Sequence, residues 1–190
     1  RGQPKDRAKP NEICVGFSRD GFYWQRPDHA PFIPVSEHYG DWNWGNVQSA
    51  GGCCLVVNDK LYFYVSGRAG VQGSPASGVS STGLATLRRD GFASMDAEGT
   101  EGTLVTTPVQ FKGKYLFINA DASQGEIRVA VSPPLLVFGA PYIAENRDGS
   151  MAAAKGYETL SCNPMRSDST RARITWKDHA ELSVPDDALI

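Results

Sequence analysis

The chain has 190 residues, 41% of them hydrophobic, with 19 basic against 21 acidic side chains and a formal net charge of -2. That is enough apolar material for one sizeable β domain or two small ones, and a nearly balanced charge spread without blocks offers nothing to a nucleic-acid backbone or an anionic membrane surface. Twenty Gly and twelve Pro, interleaved with aromatic and β-branched residues, indicate many short strands and tight turns, so the expected class is all-β.

The lead-in Arg1-Gly2-Gln3-Pro4-Lys5-Asp6-Arg7 is polar and lacks the apolar stretch of a signal peptide, and no run approaches the roughly twenty apolar residues that span a bilayer. A first strand is expected over 12–18, returned by Asp20-Gly21 as a two-residue hairpin loop, with Phe22 and Trp24 alternating onto one face of the outgoing strand. Residues 27–51 read mainly as loop. Pro27, Pro31 and Pro34 precede the cluster Gly40-Asp41-Trp42-Asn43-Trp44-Gly45-Asn46-Val47-Gln48-Ser49, which is too dense in turn formers and bulky aromatics for a plain strand. A hairpin of 53–57 and 60–66 follows about Asn58-Asp59, with Leu61, Phe63 and Val65 alternating against Tyr62 and Tyr64. Residues 67–81 form a Gly/Ser-rich loop, and 82–88 make a strand that ends at Arg88-Arg89-Asp90-Gly91-Phe92. This repeats the earlier turn about seventy residues on, and recurrence at a multiple of the blade spacing is a mark of propeller repeats.

Beyond residue 99 the texture changes. Residues 104–108, 114–120, 126–132 and 171–176 alternate apolar and polar positions as antiparallel strands with one wet face do, with Gly113 and Gln124-Gly125 as turns, and they predict a small sandwich. Residues 133–165 read as an irregular insertion whose one helical turn is 151–155. A sheet closing with 171–176 and 181–190 leaves an exposed edge, and two blades cannot close a ring. The expectation is therefore residues 1–97 as the final blades of a propeller and 98–190 as a truncated sandwich. Both ends look incomplete, in a fragment or in a chain that finishes its fold with another.

Candidate chemistry concentrates in one place. Asp41 sits beside Trp42 and Trp44, whose rings can stack on a sugar face, while Asn43, Asn46 and Gln48 can exchange hydrogen bonds with hydroxyls; a neutral polyol suits such a lining. The alternative, that the tryptophans plug a seam and the amides satisfy backbone groups, stays open on sequence alone. Arg68, at a strand end before a Gly-rich loop, either reaches that pocket or is solvated. Asp20 and Asp90 precede glycines in turns and are expected to hydrogen-bond their own backbone. Cys14, Cys53, Cys54 and Cys162 lack paired zinc-site spacing, and Cys53 and Cys54 are expected to be buried on opposite faces of a strand. His29, His38 and His179 are scattered, and Asp121 and Asp168 lack a series of calcium ligands, so neither metal nor cofactor is expected.

In order along the chain, Ser18-Arg19-Asp20-Gly21-Phe22-Tyr23-Trp24-Gln25-Arg26-Pro27, residues 42–52, residues 81–92, Phe117-Ile118-Asn119-Ala120-Asp121, Gly125-Glu126-Ile127-Arg128-Val129 and Asp168-Ser169-Thr170-Arg171 leading to Trp176 resemble the five-bladed propeller glycosidases similar to glycoside hydrolase family 32, and more distantly family 43. The resemblance implies the C-terminal part of a glycoside hydrolase-like protein acting on a carbohydrate of fructoside or furanoside type. On that likeness the chain supplies one wall of the sugar pocket and a structural sandwich, and an extracellular or periplasmic site is favoured. It also implies that the nucleophile, the charge-stabilising aspartate and the acid/base glutamate lie upstream, so no residue here takes a catalytic role. The implied partners are a carbohydrate and either the rest of the propeller or another chain. Asn43 and Gln48 stand where related enzymes carry an aspartate and an aromatic in the loop facing the sugar. The reading from a different class is a non-catalytic carbohydrate-binding or structural β module.

Overall fold

A nine-residue strand with neither Pro nor Asp/Glu organises the first half of the chain. The computed structural model describes residues 10–49, 51–109, 111–137, 140–143 and 152–183. Among them the elements, in order, are β1 (Phe17–Ser18), β2 (Trp24–Gln25), β3 (Asn46–Ser49), β4 (Leu55–Val57), β5 (Lys60–Arg68), β6 (Ser80–Arg88), β7 (Leu116–Asp121), β8 (Pro134–Val137), β9 (Ala140–Ile143), a 3-10 turn at Thr159–Ser161, and β10 (Asp168–Ile174). The chain is all-β, as its composition predicts, built from several small antiparallel sheets; no closed sheet occurs among the described residues. It divides into two units, Arg1–Phe92 and Ala93–Ile190.

In the first unit β5 is central. β6 pairs with it over its full length, Lys60 opposite Arg88 through Arg68 opposite Ser80, without a register shift. On its other edge β3 and β4 lie end to end, β3 opposite residues 65–68 and β4 opposite residues 60–62. Alternation sends Leu61, Phe63, Val65 and Gly67 to one face. There Val65 packs with Val35 and Val47, with Ile13, Ile33 and Phe63 around them. Full burial of each such valine stabilises the fold by about 1.5–3 kcal/mol relative to exposure. Phe32, Phe63 and Phe92 close the core as a three-ring cluster with centroid separations of 5.9–6.2 Å. The opposite face, with Tyr62, Tyr64, Ser66 and Arg68 from β5, is partly open to solvent.

The turn that precedes this sheet is wider than the expected two-residue loop. β1 and β2 pair through Phe17–Gln25 and Ser18–Trp24, leaving residues 19–23 as the connection. Asp20 organises it: Oδ1 accepts from the Phe22 and Tyr23 amides at 2.8 and 2.9 Å, and Gly21 supplies φ +78°. Phe22 and Trp24 do not share a covered face, being 86% and 67% exposed. The Tyr23 amide, then the Phe22 amide, hold the Asp20 carboxyl below its ordinary pKa. Because the folded-state value is depressed, its contribution is complete above the ordinary carboxylate range near ~3.9 and is lost as pH falls through the lower folded value. Acid titration followed by the Phe22 and Tyr23 amide resonances is expected to show a midpoint below that of a free aspartate, and Asp20→Ala to abolish the transition.

Several expectations from the first half need correction. The stretch 12–18 is strand only at Phe17–Ser18, with Ile13 making an isolated bridge to Ile33. Arg88-Arg89-Asp90-Gly91-Phe92 does not repeat the first turn: Asp90 rather than Gly91 has positive φ, at 55°, and among the described residues no later strand pairs back on β6. Cys53 is exposed and Cys54 partly so, because the sheet edge is interrupted between β3 and β4 and the pair lies in the gap.

In the second unit β7 pairs antiparallel with β10, with a register shift between Ser169 and Ala172, and β8 pairs with β9. Arg171 and Arg173 on β10 lie over the rings of Phe117 and Tyr115, 4.7 and 4.0 Å from their centroids. The core gathers Ala122, Val131, Tyr157, Cys162, Met165, Ile174, Trp176 and Leu182, mostly from segments outside any strand. Trp176 is 2% exposed; its indole N–H donates to the Val129 carbonyl at 2.9 Å and its ring meets Tyr157 edge-on at 5.0 Å. The Tyr157 hydroxyl donates to the Glu181 carbonyl and accepts from the Ser183 amide.

Of the four strands expected here, 114–120 and 171–176 correspond to β7 and β10. Residues 104–108 form no strand, and Leu104 and Val105 are exposed. Residues 126–132 are irregular apart from a bridge between Ile127 and Met165: the Val129 amide donates to Cys162 Sγ and the Val131 amide to the Tyr157 carbonyl, so no ladder forms. The expected insertion 133–165 contains the β8–β9 pair and the 3-10 turn. In the expected helical turn 151–155, Met151 lies outside the described residues and 152–155 are not helical. Of the last expected strand, 184–190 also lie outside them.

Candidate functional site

The structure separates the seven candidate side chains into two groups by sheet face. Asp41, Trp42 and Asn43 belong to a loop folded against the covered face. Asp41 Oδ2 accepts a hydrogen bond from the Ser36 hydroxyl, whose oxygen also accepts from the His38 amide, and Asn43 Nδ2 donates to the Pro34 carbonyl at 3.3 Å. These bonds tie the loop to itself. Trp42 lies across two glycines that face it from neighbouring strands: a Cβ on Gly67 would fall 2.2 Å from the indole, and one on Gly83 would fall 2.3 Å from it. Glycine is a poor strand residue unless something must come close, and here an indole does. The ring remains 41% exposed.

Asn46, Gln48 and Arg68 are on the opposite face. Asn46 stands opposite Arg68, and Gln48 opposite Ser66, two rows apart in the β3–β5 ladder with Val47 opposite Gly67 between them. The Arg68 guanidinium folds back over its own strand, Nη1 donating to Ser66 Oγ at 2.8 Å and to the Gly67 carbonyl at 3.2 Å. Nη2 and Nε have no partner, and Arg68 has no acidic partner, among the described residues. Gln48 is exposed.

Trp44 links the two groups. It is 2% exposed, edge-on to Tyr39 at 4.9 Å, so its ring is a packing group with no face open for stacking. The next residue crosses the start of the β5–β6 loop: the Gly45 amide donates to the Arg68 carbonyl at 2.8 Å, and a Cβ on Gly45 would fall 2.8 Å from the Gly70 Cα. The loop is itself held by Ala69 amide to Val79 carbonyl and Gly70 amide to Ser77 carbonyl bonds. This crossing forms a shallow cleft of about 60 Å³ lined by Trp44, Gly45, Asn46, Arg68, Gly70 and residues 71–77 in part. Typical ligand pockets measure about 300–1,000 Å³, so the cleft can take part of a molecule, not enclose one.

Two properties give the cleft chemistry. Its lining contains no carboxylate, and Arg68 is its one charged residue. Asn46 Oδ1 is buried and is the one side-chain polar atom so buried without a hydrogen-bond partner among the described residues. An unsatisfied buried acceptor costs about 1–3 kcal/mol. The wall from Val71 to Ser77 was not among the candidates; its signal in the sequence is the pair Gly70 and Gly78, which permits the close backbone crossing. Among the described residues no group of three or more His, Cys, Asp or Glu is placed to hold a metal, and no helix is long and apolar enough to cross a membrane. No family model, curated protein or solved structure matches the chain.

Proposed function

We propose that the chain is a carbohydrate-contacting β module of glycoside-hydrolase type, in which the Asn46–Arg68 cleft forms one wall of a sugar site. The observation that carries this reading is the pairing of a partnerless buried acceptor, Asn46 Oδ1, with the unused donors of Arg68 in one cleft. A sugar hydroxyl both donates and accepts, so adjacent hydroxyls match such a pair, and rotation about the soft Asn χ2 turns Oδ1 toward them. The propeller and sandwich assignments belong to the same proposal. The up-and-down run β4–β5–β6 has the form of a blade, and the β7–β10 pair is compatible with part of a sandwich.

Glycoside hydrolysis needs two carboxyl groups flanking the scissile bond, and the cleft lining has none. On this reading the module binds, and hydrolysis draws its carboxylates from residues outside the cleft. Calorimetric titration of the chain with fructo- and arabino-oligosaccharides is the test. Binding is expected, with Asn46→Ala weakening it about tenfold while leaving stability unchanged or higher, since the variant removes an unsatisfied acceptor. Absence of binding to any oligosaccharide, or an Asn46→Ala variant that binds as well as the parent, would count against the proposal.

A further inference from the structure

Arg68 narrows the class of sugar. The guanidinium is partly buried, has no acidic partner among the described residues, and keeps Nη2 and Nε unused, while β3, β4, β5 and β6 contain no Asp or Glu. Covering such a group with a neutral ligand removes water from a charge without compensating it, whereas a carboxylate compensates it and fits the planar donor edge. Asn46 Oδ1, in the same cleft, calls for a donor, which a carboxylate cannot provide and a neighbouring hydroxyl can. We infer that the cleft takes a hydroxylated carboxylate, a uronic-acid unit of an acidic polysaccharide, with its carboxylate on Arg68 and a hydroxyl donating to Asn46. The volume of about 60 Å³ suits the carboxylate edge of one unit, the rest of that unit and of its chain continuing into solvent. This rests on the carbohydrate-binding reading and specifies its ligand.

The test compares oligogalacturonate with the same oligomer methyl-esterified, both titrated calorimetrically against the full chain. The two probes differ only at the carboxyl group, which the ester neutralises and caps with a methyl, so the comparison needs no variant and does not depend on one folding. The acid form is expected to bind roughly ten- to a hundredfold more tightly than the ester, the size of a lost hydrogen bond to a charged group, and the advantage is expected to shrink as salt rises. Arg68→Gln is expected to bring the two affinities together; Arg68→Lys should keep the sign of the preference with a smaller ratio, because a single ammonium replaces the fork. Galacturonic acid binding as tightly as the oligomer would support the carboxylate contact and assign it to a free sugar acid. Equal affinity for acid and ester would overturn the inference while leaving the carbohydrate-binding reading intact. Tight binding of a sulfated neutral oligosaccharide without binding of the uronate would overturn it in favour of sulfate. Failure of every saccharide, neutral or acidic, would overturn both.

Discussion

Trp176→Ala is expected to destabilise the second unit by about 3–5 kcal/mol, the usual cost of truncating a buried tryptophan. The side chain is 2% exposed, is centred among Tyr157, Cys162 and Ile174, and satisfies the Val129 carbonyl through its N–H. Two losses therefore combine, a cavity and an unpaired carbonyl. Trp176→Phe separates them: it keeps most of the apolar volume and removes the hydrogen bond, so the expected cost is smaller. Trp24, Trp42 and Trp44 all belong to the first unit, leaving Trp176 as the indole of the second. Urea unfolding followed by far-UV circular dichroism measures the effect in both variants. A loss below about 1 kcal/mol for the alanine variant would mean that the ring is not the centre of that core.

The second large effect has a sign that depends on background. Gly67→Ala and Gly83→Ala are each expected to destabilise the first unit by about 1–3 kcal/mol, because the added methyl drives the Trp42 indole off the sheet. Both substitutions displace the same ring, so the double variant is expected to cost little more than either single one. With Trp42→Ala in place the obstruction at Gly83 is gone, since every close atom there belongs to the indole, and Gly83→Ala should become neutral or stabilising by about 0.5–1 kcal/mol, alanine being the better strand residue. Chemical denaturation of the five proteins and the parent reads this cycle. Gly83→Ala that destabilises equally with and without the Trp42 indole would show that the close approach is not the cause.

Both effects bear on how much of this molecule could be read beforehand. The strand 60–66 and the alternation of Leu61, Phe63 and Val65 were legible because a sheet with one covered face imposes period two on its strands. The same pattern misled at 126–132. Ile127, Val129 and Val131 do turn inward, but onto a core made from loops, where one-sided burial repeats every second residue without a ladder partner. Alternation reports burial on one side; pairing needs a neighbour that local sequence does not name. The second Asp-Gly turn failed for a related reason. A turn dipeptide permits a reversal, and only a returning strand makes it a hairpin.

The candidate site was legible by composition and not by direction. Residues 41–48 alternate around a crossing, so neighbours in sequence end on opposite faces of one sheet, Trp42 against Gly67 and Gly83 and Asn46 opposite Arg68. Stacking surface was expected from Trp44, and burial takes it away. Arg68 is informative because of what it lacks, an acidic partner among the described residues, and that depends on the whole sheet around it.

The most direct test of the account is a backbone-amide NMR titration of the full chain with an oligosaccharide. Shifts confined to residues 44–46, 66–71 and 74–77, which need a higher concentration of an acidic oligosaccharide to appear in Arg68→Gln, are the expected result. Shifts centred instead on the exposed β1–β2 loop around Phe22 or within the second unit, or no shifts with neutral and acidic oligosaccharides alike, would contradict it.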